Sequence, residues 1–156
     1  MEVLNRRLNV RVYGLCLDPV NGLLVADERI QGRSITKLPG GGLEFGEGTL
    51  DCLKREFMEE TGQAVNIMRH FYTTDFFVRS FFELSPDSQI ISIYYLVESK
   101  DWAQIKTSSN KFDFEYIHGK ESESFRWVNI VELENETDIV LPIDKVVVEK
   151  LVERFA

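Results

Sequence analysis

A glycine-rich stretch followed directly by a helical pattern constrains this chain more than any other feature. The residues after Lys37 read LPGGGLEFGEG, and the five glycines predict an irregular loop whose backbone can approach another group closely. A helix is predicted next, over Thr49 to Thr61, with Thr49 as N-cap and Gly62 as the residue after its end. Apolar residues at i, i+3 and i+7 predict one buried stripe on this helix, formed by Leu50, Leu53 and Phe57.

Three glutamates, Glu56, Glu59 and Glu60, stand at i, i+3 and i+4 on the same predicted helix. At about 100° per residue they share one arc, where like charges repel and oppose the helix dipole. A bound divalent cation would reverse this repulsion, and dense oxygen ligands suit magnesium, manganese or calcium better than zinc. A solvated acidic face is the competing interpretation. The glycine loop favours a site, because such loops place backbone groups near phosphates or metals.

The segment from Gly41 to Gln63 resembles the Nudix box, the signature of the Nudix hydrolase family, G-x5-E-x7-R-E-U-x-E-E-x-G-U, where U is a bulky aliphatic residue. All seven fixed letters are present at the right spacing, as Gly41, Glu47, Arg55, Glu56, Glu59, Glu60 and Gly62. The pattern departs at its last position, where Gln63 replaces an aliphatic residue, and mildly at Phe57, which is aromatic. Neither departure touches a metal ligand of the pattern, so both concern packing.

The resemblance implies a set of metal ligands. Glu56 and Glu60 are implied to bind Mg²⁺ or Mn²⁺ directly, and Glu59 is implied to be a further ligand or the general base. The carbonyl of Gly40 resembles the backbone oxygen that completes the metal shell in this family. The implied reaction is the attack of water on phosphorus in a diphosphate.

The resemblance also implies supporting residues. Glu47 and Arg55 resemble the pair that braces the box, and such a brace fixes the geometry of the metal ligands. In this family the general base sometimes lies outside the box. Glu121 and Glu123 are the candidates here, with solvent-exposed carboxylates as the alternative interpretation.

The remaining patterns predict an α/β domain with a mixed sheet, spanning residues 1–156, and the resemblance implies an α/β/α sandwich. Strands are predicted over Leu8 to Asp18, Gly22 to Asp27, Val65 to Leu84, Gln89 to Val97 and Phe125 to Val128, and a final helix over Ile143 to Phe155. The segment 101–124 fits no regular element. Because long loops in small domains are often functional, we predict that this segment binds the substrate through Phe112, Phe114, Tyr116 and Glu123. A dimer contact or a variable loop is the alternative.

Composition narrows the function classes. The net charge of −8 argues against a nucleic-acid polymer as partner, because such proteins carry a basic face. No apolar run approaches the roughly 20 residues of a membrane span, and the N-terminus lacks a signal-peptide pattern, so a cytoplasmic protein is expected. Cys16 lies in an apolar run and is predicted to be buried. The aromatic strand pattern allows a homodimer face.

Two functions fit these observations. The first is metal-dependent hydrolysis of a nucleoside diphosphate linked to another moiety. The second is a catalytically silent Nudix module that binds a nucleotide ligand. Silent modules usually lose a carboxylate of the box, and this chain keeps every one, which favours the enzyme.

Overall fold

The computed structural model describes residues 6–80, 87–114 and 123–156. The strands are β1 (Arg7–Asp18), β2 (Gly22–Ile30), β3 (Arg33–Lys37), β4 (Gly40–Gly42), β5 (Asn66–Thr73), β6 (Ser88–Glu98) and β7 (Glu123–Val128), and the helices are α1 (Thr49–Thr61) and α2 (Pro142–Phe155). Short 3-10 turns cover Trp102–Gln104 and Ile130–Asn135. In the part of the chain that the structure describes, no helix is both long and apolar enough to cross a membrane.

The strands form one mixed sheet, as predicted, in the order β3-β2-β1-β6-β5, with β4 beside β1 and β7 beside β2. The pair β1 and β6 is parallel, from Arg7 opposite Ser88 to Cys16 opposite Val97, and the other pairs are antiparallel. Strand β1 is central because its first half also pairs with β4 and its last residues pair with β2. The glycine-rich segment is therefore tied to the middle of the sheet.

The two α-helices cover opposite faces of the sheet, which confirms the α/β/α architecture. Alternate residues of β1 face opposite sides. Val12 and Cys16 pack in the cluster that includes Leu53 of α1, whereas Tyr13 packs in the cluster that includes Leu151 of α2. Cys16 is fully buried, as predicted, and burial raises the pKa of its thiol well above the ordinary value.

The departures from the Nudix pattern are accommodated by packing. The ring of Phe57 is fully buried against the backbone of Gly14, where a Cβ atom would lie only 2.6 Å from the ring. Glycine in β1 therefore makes room for an aromatic residue in the helix. Val65 is buried two residues after Gln63 and supplies the apolar contact that Gln63 does not. Leu50, predicted to lie in the same apolar stripe as Phe57, is instead 45% exposed.

Several predicted boundaries are wrong. The N-cap of α1 is Gly48, and Thr49 instead shares a 2.8 Å hydrogen bond with the hydroxyl of Tyr95; Gly62 ends the helix in the left-handed conformation, as predicted. The first glycines of the predicted loop form β4, because pairing with β1 overrides their weak strand propensity. Strand β3 was not predicted at all.

The aromatic strand predicted over Val65 to Leu84 is shorter than expected. Regular pairing stops at Thr73, and the chain returns to the sheet through a single bridge from Arg79 to Gln89. Residues 81–86 lie outside the described residues. The strand predicted over Gln89 to Val97 is confirmed within β6, and the final helix is confirmed one residue longer at its start.

Candidate functional site

Arg55 lies at the centre of the box and binds three parts of it. Its Nε and Nη2 atoms donate to the two carboxylate oxygens of Glu47, at 2.9 and 2.7 Å. Nη2 also donates to the carbonyl of Gly42 at 3.0 Å, and Nη1 donates to Glu56 at 2.9 Å. These hydrogen bonds hold the pKa of Glu47 down at about 2. The arginine thus ties the glycine segment to the helix, which is the geometry expected of a brace.

Gly41 and Glu56 are in direct contact. A Cβ atom at position 41 would lie 2.4–2.5 Å from the carboxylate atoms of Glu56, far inside contact distance. Only glycine therefore lets this carboxylate lie against the backbone beside Gly40. Glycine is therefore needed at position 41 because the Glu56 carboxylate fills the space that a side chain there would occupy.

Glu60 is the least satisfied carboxylate of the site. Its Oε2 atom is buried and has no hydrogen-bond partner. Burial raises the pKa of Glu60 to about 8, against the opposing effect of Lys37, and Glu123 and Glu56 raise it further. A buried carboxylate without a partner is costly unless it takes a proton or a cation. Glu60 is therefore suited to hold a positive ion.

Sequence reasoning missed Lys37 and Glu28, which form an ion pair whose charges both act on Glu60. Lys37, at the end of β3, is only 2% exposed, and its Nζ atom lies 3.1 Å from Oε2 of Glu28 and 3.5 Å from the carbonyl oxygen of Gly40. Burial alone would lower the pKa of Lys37, but Glu60 and Glu28 raise it above the ordinary value. The only signal in the sequence for its role was that Lys37 stands three residues before Gly40.

Glu123, one of the two predicted outside bases, faces this group of charges. It begins β7, directly opposite Glu28 of β2, and opposite residues of antiparallel strands share a face. Burial raises the pKa of Glu123 to about 7. The other candidate, Glu121, lies outside the described residues.

The oxygen donors fit a hard cation, although their arrangement is not a finished cage. Within residues 6–80, 87–114 and 123–156, no three acidic, cysteine or histidine side chains converge as a metal site. Glu56 is held by Arg55, and Glu59, whose side chain is 60% exposed, lies 3.3 Å from the same guanidinium. The unpartnered oxygen of Glu60 and the carbonyl of Gly40, which Lys37 contacts, are oxygen donors of the kind that Mg²⁺ or Mn²⁺ prefers.

A pocket of about 350 Å³ opens beside these carboxylates. Its lining residues come from the end of α1, the segment after the first 3-10 turn and the start of β7, and include Glu60, Lys106, Thr107, Ser108, Asp113 and Glu123. Ser108 donates a 2.5 Å hydrogen bond from Oγ to Asp113.

Two of the predicted stacking residues, Phe112 and Phe114, are the chain neighbours of the lining residue Asp113 but do not themselves line the pocket. The rings of Phe112 and Phe114 are half-buried and pack on each other, with centroids 6.1 Å apart. Tyr116, the third predicted residue, lies outside the described residues. Phe112 has a left-handed backbone, with φ of 53°, and its N–H donates to the buried carboxylate of Asp27 at 3.0 Å.

Asp27 belongs to a second buried network, which sequence reasoning also missed. Its Oδ2 atom accepts from Nε of Arg126 at 2.7 Å, and its Oδ1 atom accepts from the hydroxyl of Thr36 at 2.6 Å. Arg126 also donates to Glu136 at 3.2 Å. Through Phe112, this network anchors the wall of the pocket to the sheet.

Comparison with known proteins gives one family and one fold. The NUDIX domain family matches residues 6–150. MutT from Methanosarcina mazei Go1 is 17% identical, with a TM-score of 0.65 and 96% of both chains covered. A NUDIX hydrolase from Nitrosomonas europaea is 18% identical, with a TM-score of 0.64, over 94% of this chain and 89% of the other. A MutT structure described for Aliivibrio salmonicida and Vibrio cholerae is 21% identical, with a TM-score of 0.62, over 95% and 99%.

Proposed function

Because the chain belongs to the Nudix family of pyrophosphohydrolases, we propose that it hydrolyses a nucleoside diphosphate linked to another moiety, with Mg²⁺ or Mn²⁺ bound at the box. The family generally acts on such small molecules. The observation that carries the metal requirement is the buried oxygen of Glu60, which has no hydrogen-bond partner and lies at the edge of the pocket.

We assign the cation to Glu56, Glu60 and the Gly40 carbonyl, with Glu59 as an outer ligand. When bound, the cation neutralises the diphosphate oxygens and stabilises the charge that develops on the leaving phosphate. Arg55 keeps Glu56 against Gly41 through a 2.9 Å hydrogen bond, so one ligand is oriented before any substrate arrives.

The attacking water needs a carboxylate that accepts its proton. Glu59 and Glu123 are the two candidates, and their surroundings differ. Glu59 is exposed and bonded to Arg55, whereas Glu123 lines the pocket and its pKa is raised to about 7, close to the pH at which a base works best. We favour Glu123 as the base and leave Glu59 as a ligand.

The group beyond the diphosphate is assigned to the pocket beside segment 101–124. Phe112 and Phe114 are the chain neighbours of its lining residue Asp113, and Tyr116 continues the same segment. The net charge of −8 supports a small molecule over a nucleic-acid polymer, and we propose a cytoplasmic enzyme. A homodimer is consistent with the exposure of Phe76 and Phe77, at 40% and 63%.

The test is a substrate screen with two metal conditions. Sugar nucleotides, ADP-ribose, dinucleoside polyphosphates and oxidised nucleoside triphosphates are incubated with the protein in Mg²⁺, in Mn²⁺ and in excess chelator, and released phosphate and nucleotide are both measured. We expect turnover of at least one class in metal and none in chelator. Turnover that survives complete chelation would overturn the metal requirement. Tight binding of a nucleotide without any turnover would instead identify a silent binding module.

A further inference from the structure

We propose that Lys37 is a built-in cation of this site, which contacts the Gly40 carbonyl in the metal-free protein and competes with the divalent cation for that oxygen. The inference rests on the proposed function, since it takes Gly40 and Glu60 as metal ligands. It concerns a residue outside the Nudix box, and it predicts how tightly the site binds metal in the absence of substrate.

The position of Lys37 is the first support. Its side chain is 2% exposed, so the ammonium group has no access to bulk water and must be satisfied by protein atoms. Nζ lies 3.5 Å from the carbonyl oxygen of Gly40, the oxygen assigned to the metal, and 3.1 Å from Glu28. A divalent cation and an ammonium group cannot both lie against the same oxygen without strong repulsion.

The pattern of charge around Lys37 is the second support. Glu28 and Glu123 are directly opposite each other on neighbouring strands, where like charges are destabilising. Burial lowers the pKa of Lys37, but Glu60, Glu28 and Glu123 raise it and so favour the charged ammonium group. The pairing of β2 with β3 and β7 thus brings Glu28 and Glu123 to Lys37, whose charge offsets their repulsion.

The other cations of the region have partners of their own. Nε of Arg11 donates to the hydroxyl of Tyr13 at 2.7 Å. Arg55 binds Glu47 and Glu56. Lys37, whose Nζ atom lies 3.5 Å from the Gly40 carbonyl oxygen, is therefore placed to stand in for a metal at that oxygen.

This competition has a consequence for substrate binding. When a metal binds, the ammonium group has to leave the Gly40 carbonyl, and a diphosphate next to the metal offers it a new anionic partner. Metal and diphosphate should therefore each increase the affinity for the other, with Lys37 as part of the coupling. The site would bind metal weakly when alone and more tightly together with the substrate.

The experiment is a titration with Mn²⁺ alone at neutral pH, followed by electron paramagnetic resonance, on the wild type and three variants. We expect Lys37→Met to bind Mn²⁺ about tenfold more tightly than the wild type, because the competing charge is gone. Lys37→Arg keeps the charge and should stay near the wild-type affinity. Lys145→Met removes an exposed lysine of α2 and is the matched control. Wild-type or weaker Mn²⁺ affinity in Lys37→Met would overturn the proposal.

A second readout separates this proposal from a folding effect. In chelator, Lys37→Met leaves buried carboxylates without their cation, so its thermal midpoint should fall, and added Mn²⁺ should raise it by more than it raises that of the wild type. If Lys37→Met does not fold, Glu28→Gln is compared with the Glu28→Gln/Lys37→Met double variant, which removes the pair together. The double variant should bind Mn²⁺ more tightly than Glu28→Gln, and equal affinity would again overturn the proposal.

The two levels of inference fail differently. If neither the wild type nor Lys37→Met binds Mn²⁺, alone or with methylenediphosphonate, the proposed function fails. If the wild type and Lys37→Met bind Mn²⁺ equally well, only the role of Lys37 fails. Repeating the titration with methylenediphosphonate present tests the coupling, since the gain in Mn²⁺ affinity should be smaller in Lys37→Met than in the wild type.

Discussion

Two arginine networks in this molecule form similar hydrogen bonds, but one joins residues close in the chain and the other joins residues mostly far apart in it. Arg55 binds carboxylates and a carbonyl that lie between one and 13 residues away in the chain, and its side chain is 23% exposed. Arg126 binds Asp27, Thr36 and Glu136, which lie 99, 90 and 10 residues away, and its side chain is 7% exposed. The first network orients a site, and the second joins β2, β3, β7 and the segment at Phe112.

This difference predicts that the Arg55 network supports activity and that the Arg126 network supports folding. The side chains of Arg55, Glu47 and Glu56 are partly exposed, so solvent screens their ion pairs more than those of Arg126. The Arg55 network should therefore matter mainly for activity, through the orientation of Glu56. Removing a buried arginine while its carboxylate partner remains is strongly destabilising, because the remaining charge has neither water nor a counter-ion. The Arg126 network should therefore matter for folding. Four changes, from the largest expected effect to the smallest, test this division.

Arg126→Met is expected to have the largest effect. It leaves Asp27 buried without its cation, and the unfolding free energy should fall by about 3–5 kcal/mol. Denaturant unfolding measures the loss, and Arg29→Met, an exposed position on the same strand as Asp27, is the control. A loss below about 1 kcal/mol would show that the buried network is no more important for folding than a surface ion pair.

Glu60→Gln should affect catalysis with little harm to the fold. Removal of the charge that holds the cation should reduce kcat about 10²–10³-fold, equivalent to about 2.7–4 kcal/mol in the barrier. In chelator the variant should be at least as stable as the wild type, because the amide relieves a buried carboxylate that has an unpartnered oxygen. Glu149→Gln, exposed on α2, is the control. A Glu60→Gln protein with full activity would remove this residue from the site.

Arg55→Lys keeps a positive charge and loses the forked geometry that binds Glu47, Gly42 and Glu56 together. Turnover or metal affinity should drop about 10–100-fold, as is usual for residues that orient ligands. The unfolding midpoint should stay near that of the wild type, in contrast to Arg126→Met. Lys54→Met, exposed on the same helix, is the control. A large loss of stability with unchanged turnover would reverse the roles assigned to the two networks.

Replacing Phe112, Phe114 and Tyr116 separately with alanine should have the smallest effect. Loss of stacking is worth about 1 kcal/mol per ring, which raises KM roughly fivefold and leaves kcat nearly unchanged. Steady-state kinetics on the best substrate measures this, with Phe155→Ala as a distant exposed control. If all three variants keep the wild-type KM, the segment does not recognise the substrate through stacking, and Phe76 and Phe77 become the residues to examine.

Sequence patterns predicted the helices and most strands because their periodicity records which side of each element is buried. The same patterns failed where tertiary contacts overrode local preference. Gly40–Gly42 has poor strand propensity, but its hydrogen bonds to β1 make it β4. Leu50 has the right spacing for burial but is 45% exposed, whereas Cys52 in the same turn is fully buried. Lys37 resembles an ordinary surface lysine until β3 places it among carboxylates.

The sequence by itself determined the family, the box and its brace, because Gly41, Glu47, Arg55 and Glu56 are close in the chain and their spacing alone brings them together on one loop and one helix. Only the tertiary structure decided the surroundings of that box. Lys37, Glu28 and Glu123 meet because three strands are in one register, and Asp27 meets Arg126 across 99 residues. Contacts of that range depend on how the whole chain buries its apolar faces, and no local spacing records them.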